Sequence, residues 1–256
     1  MTVCDLGHVV SGPSAAPPVL LGGSLGTTLA MWDPQVNVLA GRWNVIAFDH
    51  RGHGGSAVPQ GPYTIDQLGG DVLALLDRLE VPRASYCGLS LGGMVGMWLA
   101  INAPERIDRL VLICTSAHLP PAAGWRERAA TVRAAGSAEV VADAVMERWF
   151  TAPYARAHPG VVAHHRRMVA ACPAEGYASC CEAVGQLDLR PGLSGITAPT
   201  LVIAGEQDPA TPPVHARAIA SAVPGSRLEV LDPAAHLSSV ERAPAVTALI
   251  VDHLTG

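Results

Sequence analysis

Ser90 lies at the centre of the segment Gly88–Gly92, whose sequence GLSLG matches the G-x-S-x-G pattern of a nucleophilic serine. A serine hydroxyl is a weak nucleophile unless a histidine accepts its proton and a carboxylate orients that histidine. Asp208 and His236 follow Ser90 in the order serine, acid, histidine. Residues of these types in this order predict a catalytic triad that attacks an ester-like carbonyl carbon.

The base and the acid each have competitors among the later residues. His236 follows a predicted strand and begins a loop, whereas His215 falls on a predicted helix and His253 is near the end of the chain. Asp208 ends the preceding predicted strand, where its side chain reaches the same edge of a sheet. Asp232 is closer to His236 in sequence but precedes the loop, so it is the second candidate for the acid.

The developing negative charge on the carbonyl oxygen requires an oxyanion hole of backbone N–H groups. The residue after the nucleophile, Leu91, supplies one N–H at the start of a helix. The glycine-rich segment LGGSLGTT (21–28) follows the first predicted strand and supplies the other. We assign that second N–H to Leu25, with Ser24 as the near alternative.

Two histidine-containing segments have a catalytic and a structural interpretation. DHRGHGGS (49–56) is either a metal or second-base site or a tight loop held by Arg51 and His53, and we favour the loop. His164 and His165 are neighbours on a predicted helix and face different directions, which argues against a shared metal ion. The sequence therefore predicts neither a metal site nor a cofactor.

These candidates need a framework of alternating strands and helices. The first half of the chain predicts short apolar strands and amphipathic or small-residue helices in alternation, which is typical of a parallel sheet covered on both faces. The predicted strands are 17–23, 43–49, 83–89 and 107–115, and the helices are 65–80 and 92–104.

The alternation stops at about residue 119 and returns at 197. Residues 119–188, here called the helical insertion, contain helical patterns and no convincing strand. The returning elements are a strand at 198–208, a helix at 213–223, a strand at 226–232 and a helix at 243–254. We therefore predict one α/β core, formed by 1–118 and 189–256, with the helical insertion as a cap over the sheet edge.

Composition excludes several classes of function. The chain has 256 residues, a net charge of −5 and no lysine, because all 17 basic residues are arginine. This excludes Schiff-base and P-loop lysines and gives no basic excess for nucleic acid. Six cysteines without C-x-x-C spacing, no leader pattern and no membrane-spanning run predict a cytoplasmic protein that binds neither membrane nor nucleic acid.

Several segments together resemble the 3-oxoadipate enol-lactonases, which are α/β-hydrolases of the β-ketoadipate pathway of aromatic catabolism. The likeness extends over nearly the whole chain, including the helical insertion. Its segments are SLGTTLAMWDPQ (24–35), DHRGHGGS (49–56), GLSLGGMVGMWLA (88–100), ERWFT (147–151), EGYASCCEA (175–183) and LDPAAHLSSVE (231–241). The resemblance implies an α/β-hydrolase fold with a mostly parallel sheet and a helical cap. It further implies hydrolysis of a small lactone, 3-oxoadipate enol-lactone, to 3-oxoadipate.

The lactone carries a carboxylate, and a carboxylate enclosed under a cap needs a cation. Trp125 and Arg128 share one helix face at i, i+3, and Arg148 is adjacent to Trp149. We predict Arg128 and Trp125 as the main substrate contacts, Trp149 as a wall of the pocket and Arg148 as a further contact.

Two other functions fit the same core. A generic carboxylesterase, or a cofactor-free perhydrolase or haloperoxidase, would use the triad on uncharged esters. A hydrolase-like small-molecule receptor would retain the triad but signal through a partner. The sequence does not assign an oligomeric state.

Overall fold

A computed structural model describes residues 3–256, and residues 1 and 2 of the predicted core segment 1–118 lie outside the described residues. The described residues form a seven-stranded sheet with the order β1-β3-β2-β4-β5-β6-β7. The strands are β1 (His8–Ser11), β2 (Pro18–Gly22), β3 (Asn44–Phe48), β4 (Ala84–Leu89), β5 (Ile107–Ile113), β6 (Thr200–Gly205) and β7 (Arg227–Leu231).

All neighbouring strands pair in parallel except β1, which pairs antiparallel to β3. Every residue of β4 and β6 is buried, so both faces of the sheet are covered at its centre. The mostly parallel α/β sheet predicted from the sequence is confirmed. The chain passes from β2 outward to β3 and then returns to β4 on the other side of β2. The crevice beyond the carboxyl ends of strands at such a reversal is the usual ligand site of open α/β sheets.

The helices of the core follow from local sequence signals. Helix α2 (Ile65–Arg78) begins with a capping box in which Thr64 Oγ1 accepts the N–H of Gln67 and Gln67 Oε1 accepts the N–H of Thr64. Helix α3 (Leu91–Asn102) is apolar on all sides and is buried from Leu91 to Ala100. The core helices are α1 (Asp33–Leu39), α2 (Ile65–Arg78), α3 (Leu91–Asn102), α9 (Pro213–Ala222), α10 (Ser238–Glu241) and α11 (Ala243–Thr255).

Between β5 and β6 the described residues form five α-helices and a 3₁₀ turn at Arg190–Gly195, and no strand. The five helices are α4 (Ala122–Ala135), α5 (Glu139–Trp149), α6 (Ala152–Ala157), α7 (Pro159–Ala171) and α8 (Ala174–Gln186). Helix α8 packs closely on the core, because a Cβ at Gly176 would lie 2.1 Å from the carbonyl oxygen of Gly52. No helix in the described part of the chain is both long and apolar enough to cross a membrane.

Arg133 joins α4 to α8 through a network of charged hydrogen bonds. Its guanidinium donates to Glu175 at 2.9 Å, to Glu182 at 2.6 Å and to Ser179 at 2.9 Å. Glu175 also accepts the N–H of Gly61 at 3.0 Å, so the network reaches the core. The hydrogen bond from Arg133 is the main cause that lowers the pKa of Glu175 to about 2.

We expect Arg133→Met to lower the free energy of unfolding at pH 7 by about 1 kcal/mol, since the network is partly solvated. Because the folded-state pKa of Glu175 is lowered, its contribution is present above the ordinary value of 4.5. It is lost as the pH falls from there towards about 2. Thermal unfolding of wild type and variant at pH 7 and at several values below 4.5 should show the difference in Tm narrowing in acid. A constant difference would contradict this account, and Arg126→Met, an exposed change on α4, is the control.

Several short elements and one strand end differ from the sequence-based expectation, and three of them have a clear physical reason. Strand β1 was not predicted, because it is four residues long, lies at the sheet edge and exposes Val9 and Val10. Helix α1 was not predicted either, since it has seven residues and only Gln35 and Leu39 are buried. Strand β5 ends at Ile113 rather than at residue 115, because Cys114 adopts a φ of 43°.

Candidate active site

Ser90 occupies the sharp turn between β4 and α3, with φ of 56° and ψ of −112°. This conformation is rare for a residue with a Cβ and is maintained by its surroundings. The Ser90 N–H donates to Ile113 O at 2.9 Å, and Thr115 Oγ1 donates to Ser90 O at 2.7 Å. A Cβ at Gly92 would lie 2.1 Å from Gly22 O, so only glycine permits this close approach.

His236 lies between β7 and α10 and is 3% exposed. Its Nδ1 lies 2.8 Å from Asp208 Oδ2, and Thr211 Oγ1 donates to the same oxygen at 2.7 Å. Because Nδ1 donates its proton to the carboxylate, Nε2 has the free lone pair of a general base. Both His236 and Ser90 line one cavity, so the structure brings the predicted serine, histidine and acid to a single site.

Asp208 is held as an acceptor on both carboxylate oxygens. Its Oδ1 accepts the N–H groups of Ala210 at 2.8 Å and Thr211 at 3.0 Å. Burial alone would raise the pKa of Asp208, but the charge of His236 and the hydrogen bonds from His236 and Thr211 lower it overall. The competing acid, Asp232, is exposed and is hydrogen-bonded to Gln207 at 3.3 Å. The geometry therefore favours Asp208 as the partner of His236.

The segment after β2, residues 22–26, is here called the oxyanion loop. Leu25 and Ser24 both line the cavity, but the Ser24 N–H is directed at Met31 Sδ at 3.3 Å. This contact leaves Leu25 as the better donor of the two. Leu91 is the first residue of α3, where backbone N–H groups lack partners within the helix. Gly92 N–H donates to Gly23 O at 2.9 Å, which joins this helix start to the oxyanion loop.

Two buried histidines of the segment 49–56 support the oxyanion loop. His50 Nε2 lies 3.1 Å from Gly23 O, and His53 Nε2 accepts the N–H of Gly26 at 2.9 Å. Burial lowers the pKa of His50 to about 3 and that of His53 to about 4, so both are neutral near pH 7. Among the described residues, no group of three or more histidine, cysteine or acidic side chains is arranged to hold a metal ion. The hydrogen bonds of His50 and His53 thus join the segment 49–56 to the oxyanion loop.

The cavity in front of Ser90 has a volume of about 210 Å³ and lies between the core and the helical insertion. All four residues predicted from the insertion line it, together with other side chains from both parts. The lining residues are Ser24, Leu25, Ser90, Leu119, Pro120, Trp125, Arg128, Val145, Arg148, Trp149, Tyr177, Pro209, Ala210, Thr211 and His236. The lining thus combines apolar and aromatic side chains with a few polar and charged groups, which is typical of small-molecule sites.

Arg128 and Arg148 are the two arginines that line the cavity, and within residues 3–256 neither has an acidic ion-pair partner. Within residues 3–256, Arg133 and Arg166 form ion pairs with acidic side chains, and neither Arg128 nor Arg148 forms any. The Arg128 guanidinium lies 5.0 Å from the centre of the Trp125 ring. Burial lowers the pKa of Arg148, and the nearby charge of Arg128 lowers it further. Two neighbouring, half-buried cations that form no ion pair within residues 3–256 favour the binding of an anion.

Tyr177 of α8 is a cavity residue that the sequence-based reasoning did not select. It is 1% exposed, and burial raises the pKa of its phenol. Its ring packs beneath the oxyanion loop at Gly26, where a Cβ would lie 3.0 Å from Tyr177 Cε2 and the φ is 84°. A buried aromatic residue in a helix has no sequence signal that distinguishes a cavity wall from ordinary core.

The chain was compared with known proteins. A family model described as the alpha/beta hydrolase fold matches residues 17–243. The chain is 43% identical over 240 residues to 3-oxoadipate enol-lactonase 2 of Acinetobacter baylyi, covering 94% of this chain and 89% of that protein. The crystal structure of the enol-lactonase from Burkholderia xenovorans LB400 is similar at a TM-score of 0.96 and 45% identity, covering 99% and 97% of the two chains. A thermophilic esterase from Thermogutta terrifontis, in a malate-bound structure, is similar at a TM-score of 0.93 and 29% identity, covering 98% and 93%.

Proposed function

This chain belongs to the α/β-hydrolase family and, within it, to the 3-oxoadipate enol-lactonases, and from that premise we propose that it hydrolyses 3-oxoadipate enol-lactone to 3-oxoadipate. The observation that carries the proposal is the pairing of two features in one cavity. Ser90 and His236, whose Nδ1 is hydrogen-bonded to Asp208, line the cavity, and so do Arg128 and Arg148, which have no acidic partner within residues 3–256. The first feature suits acyl transfer, and the second suits a substrate that carries a carboxylate.

In the proposed reaction Ser90 Oγ attacks the ring carbonyl carbon while His236 Nε2 accepts its proton. Asp208 stabilises the resulting imidazolium through Nδ1. The N–H groups of Leu25 and Leu91 donate to the oxyanion, a contribution typically worth several kcal/mol. These donors belong to segments that are hydrogen-bonded to each other through Gly23, so their positions are set before the substrate binds.

Collapse of the tetrahedral intermediate breaks the ring carbon–oxygen bond. The leaving oxygen is an enolate, which His236 protonates, and the freed enol tautomerises to the ketone. Because the ring has opened, the leaving group stays attached to the acyl chain on Ser90. Water then attacks the acyl carbon with His236 as the base, and the product is released from Ser90 as a dicarboxylate. One water is consumed and no electrons are transferred, so the reaction requires no cofactor.

The substrate carboxylate is proposed to bind between Arg128 and Arg148, with Trp125 and Trp149 as walls. A guanidinium forms a planar fork that matches a carboxylate, and both cations are half-buried where water competes less. The cavity volume of about 210 Å³ is below the range of about 300–1,000 Å³ typical for drug-sized ligands. A small acidic lactone therefore suits the site better than a long ester.

We further propose that residues 119–188 act as a cap on the core formed by 1–118 and 189–256, and that the protein is cytoplasmic. The cap is supported by the cavity, whose walls come from both parts. The compartment is supported by the cysteines, since all six lie in the described residues and all are free thiols.

A neutral carboxylesterase is the second candidate, favoured by the similarity to the Thermogutta terrifontis esterase.

The enol-lactone carries a carboxylate that Arg128 and Arg148 are proposed to bind, whereas a neutral ester has none. We expect Arg128→Met and Arg148→Met each to lower kcat/KM for the enol-lactone by about 10²-fold, since each removes a charged hydrogen bond to the substrate. Hydrolysis of p-nitrophenyl acetate should change little. Loss of the ultraviolet absorbance of the lactone measures the first rate, and p-nitrophenolate release measures the second.

The matched control is Arg126→Met, which removes an exposed arginine from the same helix and should leave both rates unchanged. An equal loss on both substrates would mean that the arginines support the fold rather than the carboxylate. Fast ester turnover by wild type with a negligible lactone rate would favour the esterase.

A further inference from the structure

The loop that carries the catalytic histidine is bonded directly to the end of α5. We call residues 232–237 the histidine loop. The N–H of His236 donates to Arg148 O at 3.4 Å, and the N–H of Leu237 donates to Trp149 O at 2.9 Å. Arg148 and Trp149 are themselves cavity residues. The backbone of the general base is thus joined to the backbone of the wall that is proposed to hold the substrate.

Glu241, the last residue of α10, forms hydrogen bonds to both of these segments. It is 8% exposed, and within residues 3–256 it forms no ion pair. Its Oε2 accepts the N–H of Ala235 at 2.9 Å. Its Oε1 accepts the hydroxyl of Thr151, and the N–H of Thr151 lies 3.3 Å from the same oxygen. The Glu241 carboxylate therefore joins Ala235, which precedes His236, to Thr151, which follows Trp149 by two positions.

A buried carboxylate without a counterion is costly, because the charge loses its hydration. Hydrogen bonds to the carboxylate offset part of this cost and join the segments that donate them. Here the segments are the histidine loop and residues 148–151, which approach from distant parts of the chain. The triad mechanism leaves Glu241 unused, since Asp208 already supplies the acid.

We propose that Glu241 is a positioning residue that fixes the register between the histidine loop and residues 148–151. It acts through the Ala235 N–H, the Thr151 N–H and the Thr151 hydroxyl, and thereby positions both the general base and the wall of the cavity at Arg148 and Trp149. The proposal deepens the proposed function and rests on it. Its effect on His236 applies to any ester, whereas its effect on Arg148 applies only to a substrate with a carboxylate.

Glu241→Gln is the sharpest test, because it keeps the size and shape of the side chain. The amide has only one acceptor oxygen, so the Ala235 N–H, the Thr151 N–H and the Thr151 hydroxyl, which share two oxygens in wild type, must share one or lose their acceptor. We expect kcat to fall about tenfold on both the enol-lactone and p-nitrophenyl acetate, since small misplacements of a base are costly. We also expect KM to rise several-fold for the lactone alone. Glu241→Asp, which retains both acceptor oxygens, should recover part of the loss.

Thr151→Val provides a second, milder variant, because it removes the hydroxyl but keeps the backbone N–H. We expect Thr151→Val to lower kcat as Glu241→Gln does, but by a smaller factor. The double variant, Glu241→Gln with Thr151→Val, should lose less kcat than the product of the two single losses. Glu105→Gln makes the same chemical change at an exposed site and is the control. Thermal unfolding is recorded for every variant.

Two results would overturn the proposal. One is a lower Tm for Glu241→Gln with kcat and KM unchanged on both substrates, which would mean that the carboxylate only stabilises the fold. The other result concerns the case in which Glu241→Gln does not fold. In that case, unchanged kcat and KM of Thr151→Val on both substrates would overturn the proposal. If wild type never opens the lactone but Glu241→Gln slows the neutral ester, the proposed function fails while the positioning of His236 by Glu241 stands.

Discussion

Ser90→Ala is expected to reduce kcat for the enol-lactone by about 10⁴-fold or more, leaving only the rate supplied by binding and the oxyanion hole. The substitution removes one oxygen and keeps the Cβ, so the unusual backbone conformation at φ 56° is no more strained than in wild type. The hydrogen bonds that hold the turn involve the Ser90 backbone and Thr115, not the Ser90 hydroxyl. The variant should therefore fold normally, and a circular dichroism spectrum and a Tm close to wild type would establish that.

Ser116→Ala is the matched control for this prediction. Ser116 is also buried beside a histidine, with its Oγ 2.8 Å from His215 Nδ1, but it does not line the cavity in front of Ser90. A sulfonyl fluoride that labels reactive serines should add one group to wild type and to Ser116→Ala, and none to Ser90→Ala, as measured by mass spectrometry. Rapid acid quench during turnover should trap an acyl group on Ser90. Substantial turnover by Ser90→Ala would contradict covalent catalysis at this residue and would favour direct attack by water.

The sequence predicted those parts of the fold and of the site that depend on the chemistry of one residue and on the conformation of the residues next to it. The glycines around Ser90 permit a tight strand-to-helix turn, and buried apolar runs on both sides predict the strand and the helix. The residues Trp125 and Arg128 could be chosen because i, i+3 spacing places them on one helix face. In each case the signal lies within a few residues of the position concerned.

Other features depend on contacts between distant segments, for which the sequence contains no local signal. The sequence pattern ranks Asp208 above Asp232 only by position, and the direct reason for the choice is that the Asp208 carboxylate meets His236 in space. Glu241 resembles an ordinary acidic residue at the end of a short helix until Thr151 is seen to donate to it. Strand β1 exposes its valines and lacks the buried alternation that marks a strand. Long-range packing overrides weak local propensity in such places.

The acid of the triad gives the second large effect. Asp208→Asn should lower kcat by about 10³- to 10⁴-fold on both the enol-lactone and p-nitrophenyl acetate. Asp232→Asn, the same change at the competing acid, should leave both rates unchanged because Asp232 is exposed and bonded to Gln207. A larger loss for Asp232→Asn than for Asp208→Asn would show that the acid has been misassigned.

The size of the Asp208→Asn effect follows from the donors around the carboxylate. Oδ1 accepts two backbone N–H groups, from Ala210 and Thr211, so an amide at this position would place its oxygen there. Its NH₂ group would then occupy the place of Oδ2 and face His236 Nδ1. Two donors cannot share that contact, so His236 would move its proton to Nε2 and could no longer accept one from Ser90. The amide of the variant does not ionise, and the balance between the two tautomers of a neutral imidazole does not change with pH. Raising the pH should therefore not restore the variant, whereas recovery at high pH would contradict the tautomer argument.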